Sequence, residues 1–160
     1  MNFIVGYTAL IGLLTLVFVY FLYRDIMSKK EGTPRMKEIS HAIHQGAVAF
    51  LKREYKVLGI FIAILVIVIS LLLDNKSTPF NEGIAIAASF VLGAVCSVLS
   101  GVIGMSIATR ANVRTTNAAR HGLGPALSVA FSSGSVMGLS VVALGVLGLT
   151  SLLYVFTAFF

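Results

Sequence analysis

The sequence is poor in charge: only 11% of its 160 residues are Asp, Glu, Lys or Arg, whereas 58% are hydrophobic. Soluble domains carry about 25% charged residues. A soluble domain of this size leaves much of its surface in water, and this composition supplies too few polar side chains to cover it. A disulfide scaffold is also excluded, because the single cysteine, Cys96, has no partner in the chain. The composition predicts an integral membrane protein.

Charge is absent from four long stretches, which are residues 1–23, 57–73, 83–109 and 121–160. A transmembrane helix needs about 20 apolar residues, so each stretch can span a bilayer once. Helical structure follows because an unpaired backbone amide in hydrocarbon costs several kcal/mol. The fold class is therefore predicted to be an all-α polytopic membrane protein that forms a single unit. Its spans are predicted at about 3–23, 57–73, 84–109 and 126–150.

Basic residues are concentrated on one side of these spans. Segments 24–56 and 110–120 hold eleven of the twelve Lys and Arg residues. By the positive-inside rule, loops 24–56 and 110–125 are expected to be cytoplasmic and the N-terminus outside. A cleaved signal peptide is the alternative for 1–23, but this stretch lacks a basic n-region and is followed directly by Arg24. The net charge of +6 is attributed to topology and contact with anionic lipid, not to nucleic-acid binding.

The second and third helices are predicted to be too long for the bilayer. Thr33 is a candidate N-cap and Pro34 suits the first turn, after which no helix breaker occurs before Asp74. The part 34–56 is amphipathic and is expected to extend into the cytoplasm, either beside the extension of helix three at 110–120 or flat on the lipid surface. A turn over 75–82 makes the two helices antiparallel neighbours.

Small residues recur at four-residue intervals on the third and fourth helices. Such faces let helix backbones approach closely in lipid, although glycine is also generally enriched in membrane helices. The candidate helix-packing residues are Gly93, Ser97, Gly101, Gly104, Gly134 and Gly138, and Ser100, Ala108 and Ala130 complete the three sets.

Side chains that could act in catalysis or bind a metal are few. None of the four stretches contains an Asp, Glu, Lys or Arg, and ionisable groups at membrane depth are what pumps use. The predicted cytoplasmic acids are too scattered for a magnesium site; they are Asp25, Glu31, Glu38 and Glu54. His41 and His44 have no Cys or acid to complete a metal set, so they are expected to be solvated. No phosphate-binding glycine loop occurs. No catalytic, cofactor-binding or metal-binding residue is predicted.

Three segments carry recognisable motifs: GVIGMSIATRANVRTTNAAR over 101–120, IHQGAVAFLKREYK over 43–56 and AFSSGSVMGL over 130–139. These motifs resemble those of membrane-bound, ion-pumping inorganic pyrophosphatases. The first is similar to the third-helix signature of that family, the second resembles its second helix, and the third resembles its fourth. The three motifs occur in the family's order, and together they make the resemblance specific.

The resemblance implies a homodimeric pump with an inner and an outer ring of helices, which hydrolyses magnesium pyrophosphate on the cytoplasmic side and exports protons or sodium ions. It implies Mg²⁺ as cofactor, with K⁺ or Na⁺ as further candidates, and a prokaryotic cell membrane as the location. The family's substrate motifs and ion gate belong to later helices, beyond Phe160. These four helices would then serve mainly in the outer ring, packed against the remaining helices of the same polypeptide.

Two hypotheses follow for the chain. It is the N-terminal part of such a pump, inactive alone, or it is a self-contained four-helix scaffold without catalysis. The absence of a charged residue after Arg120 favours a piece of a longer protein. Candidate residues for orienting helix three, or alternatively for contacting lipid headgroups, are Arg110, Asn112, Arg114 and Arg120.

Overall fold

The structure is a computed structural model that describes residues 2–72 and 82–159. These ranges form four helices and contain no strand: α1 (Asn2–Ser28), α2 (Pro34–Leu72), α3 (Glu82–Ala119) and α4 (Leu123–Phe159). Each helix is long and apolar enough to cross a membrane. The predicted all-α polytopic fold is confirmed. The predicted break at Asp74, with the turn that follows it, lies outside the described residues.

The connection between α1 and α2 is short and is shaped by a glycine and a cap. Gly32 has φ of +87°, a left-handed conformation that favours glycine. The Oγ1 of Thr33 accepts a hydrogen bond from the backbone N–H of Met36 at 3.4 Å, which confirms the predicted N-cap, and Pro34 is the first helical residue. The second connection contains Gly122, whose φ is +131°, between α3 and α4.

Helix α2 runs without a break for 39 residues, as the sequence predicts. At 1.5 Å per residue its length is about 58 Å, almost twice the hydrocarbon thickness of a bilayer of about 30 Å. Helix α3 has 38 residues and is similarly long. Part of each helix must therefore project beyond the apolar layer.

Helix α3 is the centre of the arrangement, since it contacts each of the other three helices. Helix α4 packs between α3 and α1. In the described residues α2 contacts α3 alone and has no buried residue. The core consequently belongs to the other three helices, and its buried side chains are Val19, Ile26, Ile107, Ala111, Val129 and Val136.

Close approach between helices occurs where one of them carries a glycine. A Cβ on Gly12 of α1 would come within 2.8 Å of the Leu147 side chain of α4. A Cβ on Gly104 of α3 would come within 3.0 Å of the Met137 side chain, also of α4. Because lipid provides no hydrophobic force between helices, this close packing supplies much of their attraction.

We expect the substitution Gly32→Ala to destabilise the bundle. A left-handed backbone costs a non-glycine residue about 1–2 kcal/mol, and the added Cβ would lie 2.8 Å from both Asn117 Oδ1 and Met36 Sδ. The matched control is Gly46→Ala in α2, where nothing lies within 4 Å of the new Cβ. Thermal unfolding in detergent, followed by circular dichroism, should show a lower midpoint for Gly32→Ala only. Equal midpoints would contradict the assigned turn.

Candidate functional site

The end of the bundle that carries segments 24–56 and 110–120 is called here the basic end. At this end three polar side chains of α3 bond to α1 and to the connection that follows it. Arg110 Nη1 donates to Tyr23 Oη at 3.0 Å, Arg114 Nη2 to the Met27 carbonyl at 3.5 Å, and Asn117 Nδ2 to the Lys30 carbonyl at 3.1 Å. We call these three contacts the polar ladder.

The polar ladder has a regular geometry that follows from helical periodicity. Its α3 members are four and three residues apart, which places them on one helix face. Each member is 87 residues from its partner, so α1 and α3 run parallel at the basic end. If successive helices cross the membrane in alternating directions, α1 and α3 cross it in the same direction and are parallel. The ladder therefore joins two helices that enter the basic end from the same side.

Arg114 is the buried member of the ladder. Its side chain is 9% exposed, and its Nη2 lies 3.0 Å from Glu31 Oε1. Its Nη1 also donates to the Arg110 carbonyl at 2.7 Å, while its Nε is buried without a partner. A guanidinium stays charged at any physiological pH, so its burial requires an opposite charge and oriented carbonyls. Arg114 thus ties the α1–α2 connection, through Glu31, to α3.

The other candidate arginines and the asparagine lie in different surroundings. Arg110 is exposed apart from its contact with Tyr23, and Arg120 is exposed in the turn after α3. Asn112 lies on a different face, where it lines a small groove of about 140 Å³ with Met36 and Ile39 of α2. The structure therefore brings Arg110 and Arg114 together but separates them from Asn112 and Arg120.

A second polar contact joins α2 to α3. His44 Nδ1 lies 2.8 Å from Thr109 Oγ1, and Thr109 is 5% exposed. The Thr109 hydroxyl also lies 2.9 Å from the Met105 carbonyl and 3.2 Å from the Ser106 carbonyl of its own helix. The tautomer of His44 decides which of the two side chains donates. The expectation of a solvated His44 is wrong, because this side chain lies on the same face as Leu51 and Tyr55, and that face packs on α3.

Tyr55 makes the next contact along the same helix pair. Its Oη donates to the Val98 carbonyl at 3.3 Å, and a Cβ on Gly101 would come within 2.5 Å of that oxygen. Eleven residues separate this contact from the His44–Thr109 contact on either helix. Helices α2 and α3 therefore run antiparallel in a constant register, as the sequence predicts.

Only some of the residues predicted for helix packing are contacted by a side chain of another helix. Gly101 is covered by Tyr55 and Gly104 by Met137. Gly93, Gly134 and Gly138 are exposed, and nothing lies within 4 Å of a Cβ built on any of them. Ser97 is exposed as well. Two of the six candidate positions thus meet another helix within the bundle.

The arrangement defines a polytopic helical membrane protein whose polar residues join one helix to another. Residues 13–159 match the family described as inorganic H⁺ pyrophosphatase. Because this match covers nearly the whole sequence, the chain belongs to that family.

Several curated relatives agree with this assignment. The chain is 45% identical over 143 residues to a K⁺-insensitive pyrophosphate-energized proton pump of Methanosarcina mazei, covering 89% of this chain and 20% of that protein. It is 46% identical over 149 residues to a K⁺-stimulated pyrophosphate-energized sodium pump of Thermotoga maritima, covering 92% of this chain and 19% of the pump. The chain therefore spans about a fifth of the length of these relatives.

Carboxylates in the described residues do not converge on a metal site. Asp25 pairs with Lys29 at 3.0 Å, Glu38 with Arg35 at 2.8 Å, and Glu31 with Arg114. Within residues 2–72 and 82–159, no three His, Cys, Asp or Glu side chains are close enough together to hold an ion. Magnesium prefers several oxygen ligands from carboxylates, substrate and water. Taken by themselves, residues 2–72 and 82–159 do not provide the ligands of a magnesium site.

We expect the substitution Thr109→Val to weaken the pairing of α2 with α3. It removes the hydrogen-bond partner of His44, and polar contacts between membrane helices contribute about 0.6 kcal/mol on average and at most about 1.7 kcal/mol. Thr116→Val is the matched control, because this α3 threonine bonds only to the Asn112 carbonyl of its own helix. The free energy of unfolding in mixed detergent micelles should fall more for Thr109→Val. An equal effect of both substitutions would contradict a stabilising contact between His44 and Thr109.

Proposed function

We propose that these 160 residues are N-terminal membrane helices of a pyrophosphate-energized ion pump and have a structural role in it. The observation that supports the proposal is the family match over residues 13–159 in a chain that spans about a fifth of its relatives. In this account, pyrophosphate is hydrolysed by other parts of the polypeptide. The 160-residue chain alone is inactive.

The remaining features of the pump follow from the same assignment. The relatives are named for proton or for sodium transport and for stimulation by or insensitivity to K⁺. The substrate is pyrophosphate, with Mg²⁺ held outside the described residues and Na⁺ or K⁺ as possible further ions. The functional form is a homodimer in a prokaryotic cell membrane. The basic end faces the cytoplasm and the N-terminus lies outside, in accordance with the positive-inside rule.

The role proposed for the polar ladder is to position helices. Arg114 holds Glu31 at 3.0 Å and so fixes where α2 begins relative to α3. In the proposed orientation this contact lies on the cytoplasmic side, where the pump would hydrolyse its substrate. Arg110 and Arg114 act here as positioning residues, since neither is placed near a reacting group.

A self-contained scaffold is the second candidate function. It is favoured by the open small-residue face of α4, where Gly134 and Gly138 meet no other helix. A scaffold would use this face for self-association. The source reading frame distinguishes the two candidates: continuation into helices rich in acids and lysines supports the pump, and a stop codon after Phe160 supports the scaffold.

The pump assignment is tested with the complete product of the reading frame, reconstituted in vesicles. We expect magnesium-dependent pyrophosphate hydrolysis coupled to ion uptake. Arg114→Lys should lower both rates, because one ammonium group cannot serve Glu31 and two backbone carbonyls in the fixed geometry of a guanidinium. The control is Arg120→Lys, at an exposed position. Unchanged coupled activity in Arg114→Lys would remove the positioning role, and absence of hydrolysis in the unmodified protein would contradict the pump.

A further inference from the structure

Glu54 differs from the other acids at the basic end because no cation lies beside it. Asp25, Glu31 and Glu38 each pair with a basic side chain. Residues three and four positions apart are neighbours on a helix surface, whereas adjacent residues do not face each other. The residues at these distances from Glu54 are all apolar; they are Phe50, Leu51, Val57 and Leu58. In the part of the chain that the structure describes, Glu54 forms no ion pair.

Arg53 also has no ion-pair partner among the described residues. No acid stands three or four positions from it in the sequence. Arg53 and Glu54 both line one open hollow of about 600 Å³ on the surface of α2. The other residues of this hollow are apolar and also belong to α2; they are Phe50, Val57, Leu58 and Phe61. The hollow thus offers one cation and one anion at the edge of an apolar surface.

The hollow faces away from the rest of the bundle. Tyr55 contacts α3 through the Val98 carbonyl, and Val57, two positions further on, points about 200° away from Tyr55. Val57 is 64% and Phe61 56% exposed. Among the described helices, α2 contacts α3 alone. The lining of the hollow is therefore open to the medium that surrounds the four helices.

The two charges lie at the depth of lipid headgroups. The span predicted for α2 begins at residue 57, and Arg53 and Glu54 precede it by about 6 and 4.5 Å along the helix axis. The polar layer on each side of a bilayer is about 5–7 Å thick. Val57 and Phe61 would then lie at the level where acyl chains begin. A phospholipid seated on the hollow has its headgroup beside the charges and a chain along the apolar part.

The pair of opposite charges selects among headgroups. A guanidinium binds a phosphate through two parallel hydrogen bonds, and a carboxylate accepts a hydrogen bond from a primary ammonium. An ethanolamine headgroup supplies both the phosphate and the ammonium. A choline headgroup has no N–H to donate to Glu54, and a glycerol headgroup has no cation. In the proposed orientation this leaflet is negatively charged, so Glu54 is repelled there unless it meets an ammonium.

We infer that the hollow on α2 binds a phospholipid whose headgroup carries a primary amine. The phosphate of this lipid contacts Arg53, its ammonium contacts Glu54, and one acyl chain packs on Val57 and Phe61. The inference goes beyond the proposed function, because it requires only that α2 crosses a membrane and not that the protein hydrolyses pyrophosphate.

The test uses the complete polypeptide with Phe61→Trp as a reporter in a background without other tryptophans. The 160 residues themselves contain none. The protein is reconstituted in vesicles of equal parts phosphatidylethanolamine and phosphatidylcholine, and the acyl chains of one or the other lipid carry bromine. Bromine quenches the fluorescence of a tryptophan that it contacts, so the two samples compare the occupancy of this hollow by the two lipids.

We expect brominated phosphatidylethanolamine to quench as the preferred lipid, with a relative occupancy about two- to fivefold higher, the size of one partly exposed ion pair. Glu54→Gln should bring this ratio to one. Glu38→Gln, which removes an acid from an exposed pair with Arg35, should leave it unchanged. Equal quenching by both lipids in the unmodified protein, or a preference that survives Glu54→Gln, would overturn the inference.

Two further results would also overturn it. If phosphatidylglycerol in place of phosphatidylethanolamine is bound more tightly, the hollow selects negative charge and not a primary amine. If no brominated lipid quenches the tryptophan, protein covers the hollow in the complete polypeptide.

The contact between Arg53 and the phosphate is tested by native mass spectrometry of the complete polypeptide in detergent with added phosphatidylethanolamine. We expect Arg53→Gln to retain less bound lipid than the unmodified protein. Lys37→Gln is the control, because Lys37 is exposed and lies about 30 Å from residue 57 along the helix. Equal lipid retention by the two variants would contradict the phosphate contact.

Discussion

Arg114 carries a permanent positive charge into a position where only 9% of its side chain is exposed. Such a charge is tolerated when an anion and oriented dipoles replace the lost water. Here Glu31 supplies the anion, and the carbonyls of Met27 and Arg110 supply the dipoles. The ion pair with Glu31 and the hydrogen bond to Met27 therefore hold the end of α1 and the connection to α2 against α3. Helix α2, which has no buried residue, is also joined to α3 by the contacts of His44 with Thr109 and of Tyr55 with Val98.

The other three helices are held together mainly by the packing of apolar side chains. Helices α1, α3 and α4 share a core of aliphatic side chains, and they approach closely where Gly12 and Gly104 leave space. In lipid this packing replaces the hydrophobic force that assembles soluble proteins. The buried hydroxyls of Ser100, Thr109 and Ser140 each bond to a carbonyl of their own helix, and Ser140 donates to the Val136 carbonyl at 2.6 Å.

Much of the fold could be predicted because few residues carry charge. Their positions bound the four charge-free stretches predicted to span the membrane, and Thr33 with Pro34 identifies where α2 starts. The partners of Arg114 could not be predicted, since Arg110, Arg114 and Arg120 look alike until it is known which face of α3 packs against α1. The contact of His44 was missed because the sequence does not show which face of α2 packs on α3, although the spacing of His44 from Leu51 and Tyr55 was a usable signal. The small-residue sets were recognisable, but only the positions of Met137 and Tyr55 distinguish filled sites from the open Ser97 face.

The central claim is that these helices support a pump whose chemistry is done elsewhere in the polypeptide. The most direct measurement is magnesium-dependent release of phosphate from pyrophosphate by the purified 160-residue chain in lipid, beside the complete polypeptide under the same conditions. We expect no turnover by the short chain and turnover by the complete one. Turnover by the short chain would contradict the claim, because a hydrolytic centre would then exist among residues in which no carboxylate cluster is found over the described ranges.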